Sequence, residues 1–169
     1  LLAHNINLLA YHLPLDAHPE LGNNAQLGLK LGLRAQARFG EQDLGFLGER
    51  MGAPCFESAG DLARHVENEL GRPVILVGAT SRAVTQIAWC SGGAQSYFEA
   101  AIAAGADAFI TGEISEPQAH YAREMGVAFI ACGHHASERY GAPAVAAPPM
   151  NLRRERGVGD FPFLIAQLS

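Results

Sequence analysis

From residue 86 onward the chain alternates short apolar runs with longer amphipathic stretches. Residues 86–90 (QIAWC), 106–110 (ADAFI) and 127–132 (VAFIAC) read as strands. Residues 94–105 (AQSYFEAAIAAG) and 116–126 (EPQAHYAREMG) read as helices, the first closed by Gly105 and the second opened by Pro117. A further helix is expected after GHHAS. Alternation at this spacing builds βαβ units, hence an α/β fold with a mostly parallel sheet and right-handed crossovers. GADAFITGE and GVAFIACGH form a weak internal echo about 20 residues apart, too slight for a solenoid.

The first half is less regular. Residues 6–11 (INLLAY) are an apolar run suited to a buried strand, and HLPLDAHPELGNN after it is loop. Residues 24–33 read as a helix capped by Asn23 or Asn24. Residues 34–58 are Gly-rich with little periodicity and read as irregular structure or part of a small inserted lobe. Residues 61–70 form a helix ended by Gly71 with Pro73 beyond, and 73–77 (PVILV) a strand. Leu1-Leu2-Ala3 resembles the last turn of a helix already under way, so upstream sequence is expected to be missing.

Composition narrows the partners. The 169 residues are 49% hydrophobic and 17% charged, which is globular composition. A net charge of -5 argues against a nucleic-acid partner, which favours a basic surface. Cys55, Cys90 and Cys132 are odd in number and lack C-x-x-C spacing, so a reducing, cytoplasmic setting is expected rather than a disulfide framework. No apolar run reaches the roughly 18 residues of a membrane span, and no signal-peptide pattern opens the chain.

Ligands of open α/β sheets gather at the carboxyl ends of the strands. The loops SGG, TGE and GHH belong there, which sets Ser91, Glu113, His134 and His135 on one rim. Glu138 follows His134 by four residues, so on a helix the two side chains share a face one turn apart. An imidazole and a carboxylate so placed can hold one divalent ion; alternatively His134 caps the helix and Glu138 is solvated surface. Asp16, in a polar loop past the first strand, either completes a site or caps a turn. His12 and His18, which flank it, are ordinarily surface or supporting groups. Ser91-Gly92-Gly93 could offer free N–H groups to phosphate, but plain turn chemistry is the commoner explanation, and no G-K-[ST] follows. Cys132 could be a thiolate ligand, though a buried, inert thiol is commoner. Ser96 and Ser137 have no evident base, and Trp89 suits a core or lobe interface.

YHLPLDAHPELGNN, AWCSGGAQS, GADAFITGEISE and GHHASER occur in this order in one family. Over residues 1–141 the chain resembles the GTP cyclohydrolase 1 type 2 homologues, dinuclear-metal-centre proteins that assemble as toroidal hexamers. The resemblance implies Asp16 as a bridging carboxylate and His134 and Glu138 as further ligands, with His12 and Glu113 near the cavity. It also implies two divalent ions per subunit in the complete protein; a ligand set of histidine and carboxylates suits Zn, Fe, Mn or Ni. Such ions lower the pKa of bound water, and a small-molecule, nucleotide-like substrate would be hydrolysed, with His12 or His135 shuttling protons. The alternative is a hexameric metal-binding assembly protein without turnover. A His-His-Gly ligand motif of the family's N-terminal part is missing here, which fits an N-terminally truncated member. On this reading residues 1–33 and 74–141 form the metal-site lobe, 34–73 the inserted or irregular lobe, and 142–169 an atypical tail in which Pro148 and Pro149 break the expected helix.

Overall fold

The computed structural model of the chain describes residues 2–4, 6–10, 12–78, 81–147 and 163–166. Among the described residues there are eight strands: β1 (Asn7–Ala10), β2 (Leu33–Phe39), β3 (Gly45–Arg50), β4 (Ile75–Val77), β5 (Ile87–Trp89), β6 (Ala108–Thr111), β7 (Ala128–Ala131) and β8 (Phe163–Ala166). The helices are α1 (Leu13–Ala17), α2 (Asn23–Lys30), α3 (Ala59–Leu70), α4 (Phe98–Ala103), α5 (Glu116–Met125), α6 (His134–Glu138) and α7 (Gly141–Ala146).

Six strands form one sheet in the order β2-β3-β5-β6-β7-β4. The α/β class expected from the sequence holds. The βαβ core is parallel, β5 to β6 and β6 to β7, while β3 and β4 run against their neighbours. Since β2 is antiparallel to β3, the strands β2, β5, β6 and β7 share one direction. The register pairs Ala108 with Ala128, Phe109 with Phe129 and Ile110 with Ile130. The internal echo is therefore one step of the sheet, the same strand-loop unit laid beside itself.

Alternating side chains send each central strand to two cores. On one face Ile87, Trp89, Ala108, Ile110 and Ile130 pack against Leu27, Leu31, Leu62, Val66 and Leu70 from the α2 and α3 region. On the other, Ala88, Phe109 and Phe129 meet Phe98 and Ala101 of α4 and Ala122 of α5. Phe129 lies edge-on to Phe98 and Phe109, with ring centroids 4.9 Å and 5.6 Å apart. Burying one such ring contributes about 2–3 kcal/mol, so this cluster alone strongly anchors α4 to the sheet. Among the described residues no helix is long and apolar enough to cross a membrane.

Several elements differ from expectation. About half of residues 34–58 is strand: β2 and β3 extend the main sheet. The edge strand β2 exposes most of its side chains and carries a register shift between Ala35 and Ala37, which erases the apolar alternation that marks a half-buried strand. The run around β1 is a strand but not a buried one, since Leu8 is 50% exposed; among the described residues β1 pairs only with β8, in a separate two-stranded sheet. Tyr11 lies outside the described residues. Helix α2 begins at Asn23 after an N-cap at Gly22, so neither asparagine is the cap. The segment after Tyr140 does continue into a helix, α7, and a final strand, β8. Pro148 and Pro149 lie outside the described residues. Helix α3 stops as expected, at Gly71 with φ 67°, but starts two residues earlier than expected, where Ser58 caps it by accepting from Asp61 N at 3.1 Å.

Candidate functional site

The three loops at the carboxyl ends of β5, β6 and β7 lock onto one another. Gly112 N donates to Gly92 O at 2.8 Å, and Gly133 N to Gly112 O at 2.9 Å. Thr111 Oγ1 donates to the same Gly92 carbonyl at 3.1 Å. A side chain at Gly112 would meet Gly92 O at 2.5 Å and His134 Cα at 2.6 Å, so only glycine lets these loops approach so closely. The buried Ser137 fastens α6 to this stack, accepting from Gly92 N at 2.9 Å and donating to His134 O at 2.7 Å. Its hydroxyl is structural, in keeping with the absence of a base partner in the sequence.

Helix α6 starts at His134, so His134 and Glu138 do stand one turn apart on one face. His134 Nδ1 and Glu113 Oε1 are 2.6 Å apart, and His134 Nε2 lies 3.0 Å from Glu138 Oε2. Glu138 is buried, contrary to the solvated-surface alternative, and its Oε2 has no hydrogen donor in line with it. The Glu113 hydrogen bond, reinforced by the Glu138 charge and opposed by burial, holds the His134 pKa above its ordinary value. Burial pushes the Glu138 carboxyl up; the Asp16 charge adds to this, and His134 and His12 oppose it. Both groups therefore retain protons more tightly than usual, the behaviour of a site short of positive charge.

Beside this pair lies a cavity of about 370 Å³ lined by His12, Asp16, Asn24, Cys90, Ser91 and His134, with Leu13, Leu44, Ala94 and Tyr97 as its apolar wall. The structure thus brings Asp16 and His134 to one cavity, while Glu138 does not line it and reaches it only through its contact with His134. Of the two candidate proton carriers, His12 lines the cavity, whereas His135 is exposed and does not. The Ser91-Gly92-Gly93 turn is no phosphate cradle. Ser91 N is taken by Asn24 Oδ1 at 2.6 Å and Gly92 N by Ser137 Oγ. Cys132 is buried, and burial pushes its thiol up to about 12; Trp89 is core, stacked on Phe46 with centroids 5.6 Å apart.

Sequence reasoning missed Asn23 and Asn24. Both are buried polar residues at the start of α2. Asn23 Nδ2 donates to Asp16 Oδ1 at 2.8 Å, and Asn24 Nδ2 donates to Leu44 O at 3.0 Å. The N-N pair after Gly22 reads as capping chemistry, which hides the place of Asn24 in the cavity wall and the bond of Asn23 to Asp16. The signal that could have betrayed it is two amides in succession where a cap needs one.

The donor set suits a divalent cation in part. The buried, unbonded Glu138 Oε2 and the adjacent His134 Nε2 offer two ligand atoms side by side, and Gly92 leaves room beside them: a Cβ there would press on Glu138 Oε1 and lie 3.1 Å from His134 Nε2. Among the described residues, however, no three His, Cys, Asp or Glu side chains gather closely enough to hold an ion by themselves. This chain offers one edge of a metal site, not a closed one.

The profile of the Duf34/NIF3 (NGG1p interacting factor 3) family matches residues 1–155, and the chain belongs to this family. A curated relative from Neisseria meningitidis serogroup A, named GTP cyclohydrolase 1 type 2 homolog, is 53% identical over 146 residues, covering 86% of this chain. The relative of the same name from Escherichia coli K12 is 49% identical over 148 residues. The chain spans 57% and 58% of the length of these two relatives. Among solved structures, protein ybgI, described as of unknown function, superposes with TM-score 0.79 at 42% identity, over 99% of this chain and 64% of that one. TTHA1606 from Thermus thermophilus follows the same fold with TM-score 0.71 at 29% identity, over 94% of this chain and 60% of that one.

Proposed function

We propose that this chain carries part of the metal centre of a metal-dependent hydrolase, with His134, Glu138 and Asp16 as ligands. The observation that carries the reading is the face-to-face pair His134 Nε2 and Glu138 Oε2, 3.0 Å apart. Nδ1 of His134 faces Glu113, which leaves Nε2 as the nitrogen turned to the Glu138 carboxylate. Two lone pairs at that distance repel unless a proton or a cation lies beside both. A bound divalent ion supplies a water activated near neutral pH.

The chain's own residues do the rest. Glu113 fixes the tautomer and tilt of His134, Ser137 fixes α6 against the SGG loop, and His12 stands at the cavity mouth as a proton carrier. The apolar wall of Leu13, Leu44, Ala94 and Tyr97 suits the flat face of a small ring, in line with a nucleotide-like substrate. Two ions per subunit, drawn from Zn, Fe, Mn or Ni, a homohexamer and a cytoplasmic setting belong to the same reading; the three free cysteines agree with the last.

The test is metal content by mass spectrometry in the full-length protein and in its Asp16→Ala, His134→Ala and Glu138→Ala variants, with turnover of purine nucleotides followed with and without metal. Loss of metal in the variants together with metal-dependent turnover is expected. Unchanged metal in all three overturns the ligand assignment. Metal without turnover favours the assembly-protein alternative.

A further inference from the structure

We propose that Asn23 is the positioning residue that sets the distance between Asp16 and Glu138. The inference rests on the metal-site reading above and adds a residue to it. Asn23 is fully buried. Its Oδ1 accepts from Gly141 N at 2.7 Å, and its Nδ2 donates to Asp16 Oδ1 at 2.8 Å. The backbone N–H of Gly141 can only donate, so it fixes which end of the amide is oxygen. The NH2 end is thereby committed to Asp16, whose Oδ1 must accept.

The two ends of this amide touch the two halves of the candidate site. Asp16 comes from α1, early in the chain. Gly141 opens α7, three residues after Glu138. One side chain thus ties the early carboxylate to the segment that carries the late one. The junction is tight at both ends: a side chain at Gly141 would meet Asn23 Oδ1 at 2.8 Å, and one at Gly22 would meet Asp16 O at 2.9 Å.

A fold optimised for stability alone would keep two buried carboxylates apart, since like charges repel strongly where water is scarce. Asp16 and Glu138 are both buried, and the Asn23 hydrogen bonds link the first to the segment that carries the second. A buried amide that holds them together makes sense where a cation is to be shared between them. Supporting hydrogen bonds of this kind orient metal ligands without touching the ion.

The experiment measures Mn²⁺ or Zn²⁺ affinity by competition with a chelator in the full-length protein, beside the melting temperature. Asn23→Ala is expected to weaken binding by about 10–100-fold. Val66→Ala, a core substitution on α3, serves as the control for lost stability and should leave affinity within about threefold of wild type. Gly141→Ala presses on the amide from its other end, leaving Asp16 and Asn23 chemically intact, and should weaken binding in the same direction; it decides the matter if Asn23→Ala does not fold. Wild-type affinity in a folded Asn23→Ala, or in Gly141→Ala when that variant decides, overturns the positioning role while leaving the metal reading intact. A wild-type protein that binds neither ion overturns the metal reading and this proposal with it.

Discussion

His134 Nε2 and Glu138 Oε2 face each other at 3.0 Å across one turn of α6, and Glu113 holds the opposite ring nitrogen. Without metal, a proton is what reconciles the two facing atoms. The raised His134 pKa then means that its contribution to stability is fully present below the unfolded value, about 6.5, and is lost as pH rises through the higher folded value. A divalent ion takes over where the proton leaves. The melting temperature of the full-length protein, scanned from about pH 6 to 8.5 with and without Mn²⁺ or Zn²⁺, should show a metal-induced gain that grows with pH. A gain independent of pH would mean that the ion does not compete for His134.

Gly92, like Gly112, is a position where the site tolerates no side chain. Its φ is +70°, and an added Cβ would press on Glu138 Oε1. Gly126, which ends α5 with φ +63°, has nothing within 4 Å of an added Cβ. Both alanine variants carry the backbone cost of the left-handed conformation, about 1–2 kcal/mol. Gly92→Ala should lose about 1–2 kcal/mol more in urea unfolding, because the buried carboxylate must move, and should lose bound metal as well. Equal losses in the two variants would show that the Glu138 contact is relaxed at no cost.

How much of this was legible in the sequence depended on whether neighbours along the chain or across the fold decided each residue's state. The strands β5, β6 and β7 are buried on both faces and kept short by their loops, so their apolar runs stood out. Gly71 ended α3 with local chemistry that the sequence shows. His134 and Glu138 were legible as a pair because a helix turn relates them. β2 was not legible: an exposed edge strand with a register shift has no apolar period to read. Asn23 was misread as a cap because its partners, Asp16 and Gly141, lie 7 and 118 positions away. That Asp16 lines one cavity with His134 was expected only from the family resemblance, since no local pattern relates residues so distant.

Asp107 staples the entry of β5 to the start of β6. Its Oδ2 accepts from Thr85 N at 2.9 Å, Thr85 Oγ1 at 2.7 Å and Gln86 N at 2.9 Å. Burial raises its pKa, but these bonds, with the Arg82 charge, outweigh burial and hold it below the usual carboxylate range. Asp107→Asn turns one acceptor into a donor and should cost about 1 kcal/mol at neutral pH, a figure kept low because the group is half-exposed and screened. Because the folded pKa is depressed, the contribution is present above the unfolded value near 3.9 and is lost as pH falls through the folded one. Urea midpoints of the two proteins should therefore differ at pH 7 and converge near pH 3. A gap that persists in acid would assign the effect to packing instead of charge.

The three cysteines should separate by burial when alkylated. Cys90 and Cys132 are buried, and burial pushes both thiols up to about 12. The thiolate is the reactive form, so at pH 8 fewer than about one in a thousand of either is available even before access is considered. Cys55 is half-exposed. Brief treatment of the folded full-length protein with iodoacetamide should label Cys55 and spare the other two, with peptide mass spectrometry as the readout; denaturant should equalise them. Because Cys90 also lines the cavity beside Asp16, its slow labelling should speed up when Asn24→Ala removes the amide that packs on its sulfur at 3.9 Å and opens the wall. Rapid labelling of Cys90 in the wild-type fold would mean that the cavity floor is open to solvent and would count against its use as a dry metal pocket.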